Sequence, residues 1–219
     1  MSLNKVLITG SSSGLGNYMA LYFSKKGHDV LLHGRDEIKL KDTKNKIIKN
    51  NVKAEYIISD LSEKQGVQEL CKKAKSENIK ILVNNAGIIC PNLPFEKINN
   101  EIIDQMILVN LIAPIKIINS MSDNLEQVIN INSMVGLEAK KNRTLYAASK
   151  WGLKGFSDSL KQETTKYNIL DVYPTNIKTH PERDNAMDVN FVIKKIYQAM
   201  LDCNKDLILD GRIKYNEKY

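Results

Sequence analysis

Short apolar runs alternate with amphipathic stretches along the whole chain. Lys5–Thr9, Val30–His33, Ala54–Ser59, Ile79–Asn84, Gln127–Asn132, Ile169–Tyr173 and Asp206–Leu209 have the length and branched-residue content of strands. Between them, residues 14–26, 36–50, 62–76, 101–124, 145–167 and 189–201 place apolar side chains at helical spacing, with lysines on the outer positions. Pro114 marks a new helix start or a kink inside the fourth of these stretches. The continuous run Ile81-Leu82-Val83 is the pattern of a strand covered on both faces. Strands alternating with helices predict right-handed crossovers, and so an α/β fold with a doubly wound parallel sheet and helices on both faces. No linker rich in Gly, Pro or Ser divides the chain, so residues 1–219 are expected to form a single domain.

Composition narrows the function classes. A hydrophobic content of 42% and a charged content of 26% suit a soluble globular domain, and no apolar run is long enough to span a bilayer. The first ten residues lack the regions of a signal peptide, so a cytoplasmic location is expected. The net charge of +7 raises nucleic acid as a partner, but the lysines are scattered and no basic run is interleaved with aromatics. Neither nucleic acid nor membrane is expected as a partner. Cys71, Cys90 and Cys203 are odd in number and lack metal-ligand spacing, which predicts reduced thiols and no metal site.

Two segments carry candidate chemistry. Gly10-Ser11-Ser12-Ser13-Gly14-Leu15-Gly16 follows a strand and opens a helix. There glycines permit a tight turn, and the helix N-terminus offers amide donors and partial positive charge to a pyrophosphate. The spacing differs from the common G-x-G-x-x-G, and a purely structural turn is the alternative. Tyr146 and Lys150 lie four residues apart in a helical stretch, so phenol and ammonium share a face. Lowering a phenol pKa by about three units takes roughly 4 kcal/mol. One positive charge at about 4 Å supplies that at an effective dielectric near 20. Ser133 ends the fifth strand on the carboxyl side, where open parallel sheets bind ligands.

Taken in order, Thr9–Gly16, Asp60, Asn84-Asn85-Ala86-Gly87, Asn110, Ser133, Tyr146 and Lys150 resemble the motifs of the short-chain dehydrogenase/reductase family, in its compact single-domain branch. The resemblance covers about residues 4–179 and implies a Rossmann-like fold and an oxidoreductase acting on a small carbonyl or alcohol substrate with NAD(P). It implies that Asp60 accepts from the adenine amino group; by itself Asp60 also suits a cap for the following helix. Asn84, Ala86 and Gly87 should wall the adenosine ribose. Asn110 should hold a water in a proton relay, Ser133 polarise the carbonyl, and Tyr146 act as general acid/base. Lys150 should also bond the nicotinamide ribose, which places it and Tyr146 against the cofactor. Backbone near Pro174 and Ile177 and the Thr179 hydroxyl should meet the carboxamide and phosphates.

Cofactor choice follows from the end of the second strand. Gly34 offers no carboxylate to repel a 2′-phosphate, Arg35 offers a planar cationic fork, and the Ser11 and Ser12 hydroxyls can donate. NADP(H) is therefore favoured over NAD(H), Asp36 is expected to cap the next helix, and His33 to be a packing residue.

Thr175 stands where the family commonly has glycine, and the substrate lid, about residues 179–189 with His180 and Arg183, is short. Leu153, Phe156 and Leu160 give the helix at 145–167 an apolar face, and the resemblance implies a homodimer across the helices at 101–124 and 145–167, with a tetramer in doubt; packing of that face within one chain is the rival reading. Two rivals remain. A non-catalytic NADP(H)-sensing protein would be expected to lack a member of the Ser133, Tyr146, Lys150 set. A nucleotide-sugar epimerase would need a longer C-terminal part than the residues after Thr179.

Overall fold

The computed structural model describes residues 4–89, 92–179 and 186–213. Along the chain run β1 (Lys5–Ile8), α1 (Gly14–Lys25), β2 (Asp29–Gly34), α2 (Glu37–Ile47), β3 (Ala54–Ile58), α3 (Lys64–Ser76), β4 (Ile81–Asn84), α4 (Asn100–Ile107), α5 (Ala113–Met121), β5 (Gln127–Ile131), α6 (Thr144–Glu163), β6 (Asn168–Pro174), β7 (Ile177–Lys178), β8 (Met187–Asp188), α7 (Val189–Leu201) and β9 (Asp206–Leu209). Seven strands form one sheet in the order β3-β2-β1-β4-β5-β6-β9, and every pairing is parallel. The order reverses between β1 and β4, which opens a crevice at their carboxyl ends.

Consecutive residues of the central strands feed opposite cores. Leu7, Leu31, Leu82, Val128 and Ile169 face one side and pack with Val67 and Leu70 of α3, Ile117 of α5 and Phe156 of α6. Val6, Ile8, Val30, Leu32 and Ile129 face the other and pack with Met19 and Phe23 of α1, Leu40 of α2 and Val192 of α7. A parallel sheet sandwiched in this way has no wet face, which is why its central strands are apolar at both parities.

Three local features depart from the expected pattern. The stretch 101–124 is not one helix: a π-helical turn, Leu108–Ile112, separates α4 from α5. Pro114, which has no N–H to donate, sits in the first turn of α5, and the wider turn precedes it. The stretch 36–50 ends as a 3₁₀ turn at Ile48–Asn50, and Asp36 caps its start by accepting from Lys39 N–H at 3.1 Å. β7 and β8, two residues each, pair with one another beside the main sheet. Most of the expected lid, with His180 and Arg183, and also Cys90, lies outside the described residues.

The apolar face expected to meet a second chain is used within this one. Leu153 is buried, and Phe156 and Leu160 are half-buried against the α3–α5 core. A helix flanking a sheet spends such a stripe on the sheet.

Candidate active site

A cleft of about 290 Å³ opens at the carboxyl ends of β1 to β4, bounded by the loops after Gly10, Gly34, Ser59 and Asn85. Gly10 has φ +66°, and a Cβ there would come within 2.9 Å of the Ala86 Cα. A Cβ on Gly16 would overlap the Gly10 carbonyl oxygen, so α1 approaches the loop as closely as glycine allows. Ser13 sits at the N-cap but makes no side-chain cap bond, leaving the first-turn amides of α1 to an anion. Gly14 has φ +56° with open space around it, while Gly16 is buried and Leu15 packs on the core. The cleft, its glycine wall and the uncapped helix fit a dinucleotide diphosphate.

Hydrogen bonds between strand ends hold this loop. Thr9 Oγ1 donates to the Val83 carbonyl and accepts from the Asn85 and Ala86 amides, both at 3.0 Å. Asn85 Nδ2 donates back to the Thr9 and Gly10 carbonyls at 2.8 and 3.2 Å. Asn84 instead points into the sheet and donates to Asn130 Oδ1 at 2.9 Å. Its expected place in the ribose wall is therefore taken by Ala86 and Gly87, which line the cleft.

At the far end of the cleft, His33 does more than pack. Its Nδ1 accepts from Gly10 N–H at 3.1 Å, so Nε2 carries the proton and donates to the Ser59 carbonyl at 3.1 Å. Burial pulls its pKa down to about 4, and the ring is a neutral brace across β1, β2 and β3. Ser11 is a second brace: its hydroxyl donates to the His33 carbonyl and accepts from the His33 amide, fully buried. The expectation that the Ser11 side chain serves a cofactor is thereby corrected. Ser12 and Ser13 do face the cleft.

Arg35 is 72% exposed and lies 3.4 Å from Asp60, a loose pair. Asp60 Oδ1 accepts from the amide and hydroxyl of Ser62, the capping alternative, while Oδ2 faces Arg35. Burial pushes the Asp60 carboxyl up, but the Ser62 bonds and the Arg35 charge outweigh it and hold it below the usual carboxylate range. A Cβ on Gly34 would sit 2.9 Å from Ser12 Oγ, so the place where a carboxylate would stand is filled by a hydroxyl. The Ser59 hydroxyl, also on the cleft wall, is buried without a partner.

Beyond β5 a second group of residues converges. The Ser133 side chain lies beside the Tyr146 phenol and pulls its pKa down, while its hydroxyl oxygen accepts from Val135 N–H at 3.3 Å. Lys150, 4% exposed, places Nζ 5.7 Å from the Tyr146 ring centroid and donates to the Ile131 carbonyl at 2.9 Å. Burial lowers its pKa to about 8. The phenol does not follow the sequence expectation: burial pushes its pKa up, with Ser133 and Arg143 pulling the other way. Lys150 gives one of its three N–H bonds to the Ile131 carbonyl, and the groups that pull the phenol pKa down are Ser133 and Arg143.

Asn110, in the π-helical turn, is 1% exposed. Its Oδ1 accepts from Ile88 N–H at 2.8 Å, and Nδ2 donates to the Ile88 carbonyl at 2.9 Å and to Ser149 Oγ at 3.1 Å. Both amide hydrogens are spent, so the side chain clamps the loop after β4 to α6. Ser149 in turn donates to the Tyr146 carbonyl at 2.8 Å. Pro174 and Ile177 are buried at the end of β6 and in β7, and Thr179 N–H returns to the Ile177 carbonyl at 2.9 Å. They lie on the far side of β5 from the cleft. Asn132 accepts from Ser133 N–H at 2.9 Å and donates to the Lys150 carbonyl at 3.2 Å, and it joins His33, Ser11 and Ser149 as supports that sequence reading does not single out. Their signal was a polar residue at or beside the end of an apolar strand, or next to the reactive pair.

The profile of short chain dehydrogenases matches residues 4–189. The chain belongs to this family. It is an oxidoreductase of the short-chain dehydrogenase/reductase type. The chain is 35% identical over 198 residues to the 3-oxoacyl-acyl-carrier-protein reductase of Rickettsia felis, covering 87% of this chain and 80% of that one. Among solved structures, the bulky-bulky ketone specific alcohol dehydrogenase of Comamonas testosteroni superposes with a TM-score of 0.88 at 25% identity, over 95% of this chain and 86% of that one. A metagenomic short-chain oxidoreductase in complex with NADP gives 0.82 at 25% identity, over 97% and 99%.

Proposed function

We propose that this short-chain dehydrogenase is an NADP(H)-dependent carbonyl reductase or alcohol dehydrogenase, with Tyr146 as general acid/base. The observation that carries the reading is the convergence of three groups: the Lys150 ammonium 5.7 Å from the Tyr146 ring centroid, and Ser133 beside the phenol, whose pKa it lowers. The glycine loop and the α1 N-terminus would hold the diphosphate, Ala86 and Gly87 the adenosine ribose, and Asp60 the adenine. Tyr146 and Lys150, with backbone near Pro174 and Ile177 and the Thr179 hydroxyl, would hold the nicotinamide half. Bound dihydronicotinamide supplies hydride. Ser133 orients the substrate carbonyl, and the Tyr146 phenol gives its proton to the developing alkoxide; in the oxidation direction the phenolate takes it back. Lys150 keeps two N–H donors beyond the one given to the Ile131 carbonyl, and its charge would stabilise that phenolate. A water relay would use the backbone at Asn110, whose side-chain donors are spent.

Preference for NADP(H) is supported by Gly34 crowded against Ser12, the loosely held Arg35 fork, and an NADP-bound relative. The complete Ser133, Tyr146 and Lys150 set weighs against a non-catalytic sensor. On this reading residues 1–219 act as one unit and as a homodimer, for which Trp151, 49% exposed on α6, is the remaining support. Screening carbonyl compounds and alcohols while following absorbance of the reduced cofactor tests the activity. Tyr146→Phe should abolish turnover with cofactor affinity nearly unchanged, and turnover close to the parent rate would assign the proton to another group.

A further inference from the structure

Beyond β9 the chain turns back toward the candidate site. Asp210, 7% exposed, accepts Arg212 Nε at 2.8 and 3.0 Å and Nη2 at 2.7 Å. The same guanidinium reaches Glu138, with Nη1 to Oε1 at 2.9 Å and Nη2 to Oε2 at 3.5 Å. Glu138 belongs to the segment that leaves Ser133 and enters α6 just before Tyr146. Between Asp210 and Arg212 in the chain, Gly211 N–H donates to Thr175 Oγ1 at 2.8 Å, and Thr175 N–H donates to the Leu209 carbonyl at 2.9 Å. A Cβ on Gly211 would meet Met187 Cγ at 2.8 Å and Thr175 Oγ1 at 3.1 Å. One short turn thus joins the segments that follow β5, β6 and β9, and Thr175, where relatives commonly have glycine, supplies the hydroxyl that seats it.

We propose that Arg212 is a positioning residue: it bolts the 134–143 segment and thereby fixes the Ser133 hydroxyl against the Tyr146 phenol. The inference rests on the reading of Ser133 and Tyr146 given above. Single exposed ion pairs add little. Here one planar fork is shared by two carboxylates that lie far apart in sequence, a geometry that lysine's point charge cannot copy. Ser133 and Tyr146 must address the same carbonyl oxygen, and the bolted segment is the tether between them. A slack tether costs turnover through misplacement. It leaves the diphosphate and adenosine part of the cleft alone, because that part is built at the ends of β1 to β4.

The test uses the full chain and the variants Arg212→Met, Arg212→Lys, Glu138→Gln and the Arg212→Met/Glu138→Gln pair. Amide exchange of peptides within 134–143 should quicken about tenfold in Arg212→Met, equivalent to about 1.4 kcal/mol of lost closure. The pair should be no faster than the worse single variant, and Arg212→Lys should fall between Arg212→Met and the parent. Exchange in α3 and NADPH affinity should stay at parent values while kcat falls. Unchanged exchange in 134–143 would overturn the proposal. So would acceleration that spreads to α3, or a loss of NADPH affinity as large as the loss of turnover. Absence of turnover in the parent would sink the proposed activity, while the exchange data would still judge the bolt.

Discussion

Lys150 carries a cost that its helix spacing does not reveal. Its pKa falls from 10.5 to about 8 because the ammonium is buried with one carbonyl partner. Between those values the unfolded chain holds a proton that the folded chain has shed, so this group's contribution to stability rises as pH climbs through about 8. Below that window both states are charged, and the penalty approaches ~3 kcal/mol at 1.36 per unit. Lys150→Met should therefore be inactive yet more stable than the parent at pH 7, by up to about 3 kcal/mol less the lost hydrogen bond. By pH 9.5 the advantage should shrink by ~2 kcal/mol. Urea midpoints at the two pH values check it; a variant less stable at both would mean that the carbonyl contact outweighs the buried charge. Arg35 sits at the opposite end of the site and is bound loosely enough to be exchanged for phosphate. Arg35→Asp should reverse an NADPH-over-NADH preference, because a carboxylate at that strand end repels the 2′-phosphate and suits the hydroxyl. Fluorescence titration giving the parent equal affinities would remove the basis for an NADP assignment. The Tyr146–Lys150 pair was legible from spacing alone, since four residues of helix put both on one side. The hydrogen bonds of Lys150 and Ser11 were not, because side-chain depth is set by packing and not by sequence separation.

At the scale of elements, four strands share one polar row. Asn84, Asn130, Asp171 and Asp206 are register partners across β4, β5, β6 and β9. Asn84 donates to Asn130, Asn130 donates to Asp171 at 3.0 Å, and Lys161 of α6 donates to Asp171 at 2.7 Å and to Asp206 at 3.2 Å. Asp171 is fully buried, and burial raises its carboxyl pKa against the pull of Lys161. Asp171→Leu would take from a mostly buried ammonium its 2.7 Å partner, leaving Asp206 and Asp158, and should cost on the order of 2 kcal/mol. The double change Lys161→Met with Asp171→Leu should recover most of that, because it removes both charges. Guanidinium denaturation measures both; a double variant as unstable as the single would show that the row matters through its neutral bonds instead. The strands themselves were readable, because both faces of the sheet demand apolar residues and Val6-Leu7-Ile8 obeys at every position. The π-helical turn was not, since Leu108–Ile112 has no composition that separates it from an α-helix. β7 and β8 are too short to carry a periodicity.

For the whole molecule, the alternation of strands and helices was enough to read the architecture, because crossover handedness leaves few ways to wind such a chain. Its positive charge is spread over helices whose lysines pair with their own acids, as Lys41 does with Glu37 at 2.9 Å and Lys46 with Asp42 at 2.6 Å. Among the described residues, no helix is long and apolar enough to cross a membrane. The rival reading of the α6 apolar stripe, packing within one chain, accounts for Leu153, which is buried, and for part of Phe156 and Leu160. What is left on α6 is Trp151, a large apolar ring half in water beside buried Lys150. A buried tryptophan is a typical anchor of an interface, and one left exposed invites a partner surface. If α6 meets its copy, light scattering at micromolar concentration should give twice 24.8 kDa. Trp151→Glu should then bring the mass to that of a single chain, because the change removes the apolar ring and drives a carboxylate into the interface. A parent protein that already scatters as one chain would reject the homodimer and make Trp151 an ordinary surface residue.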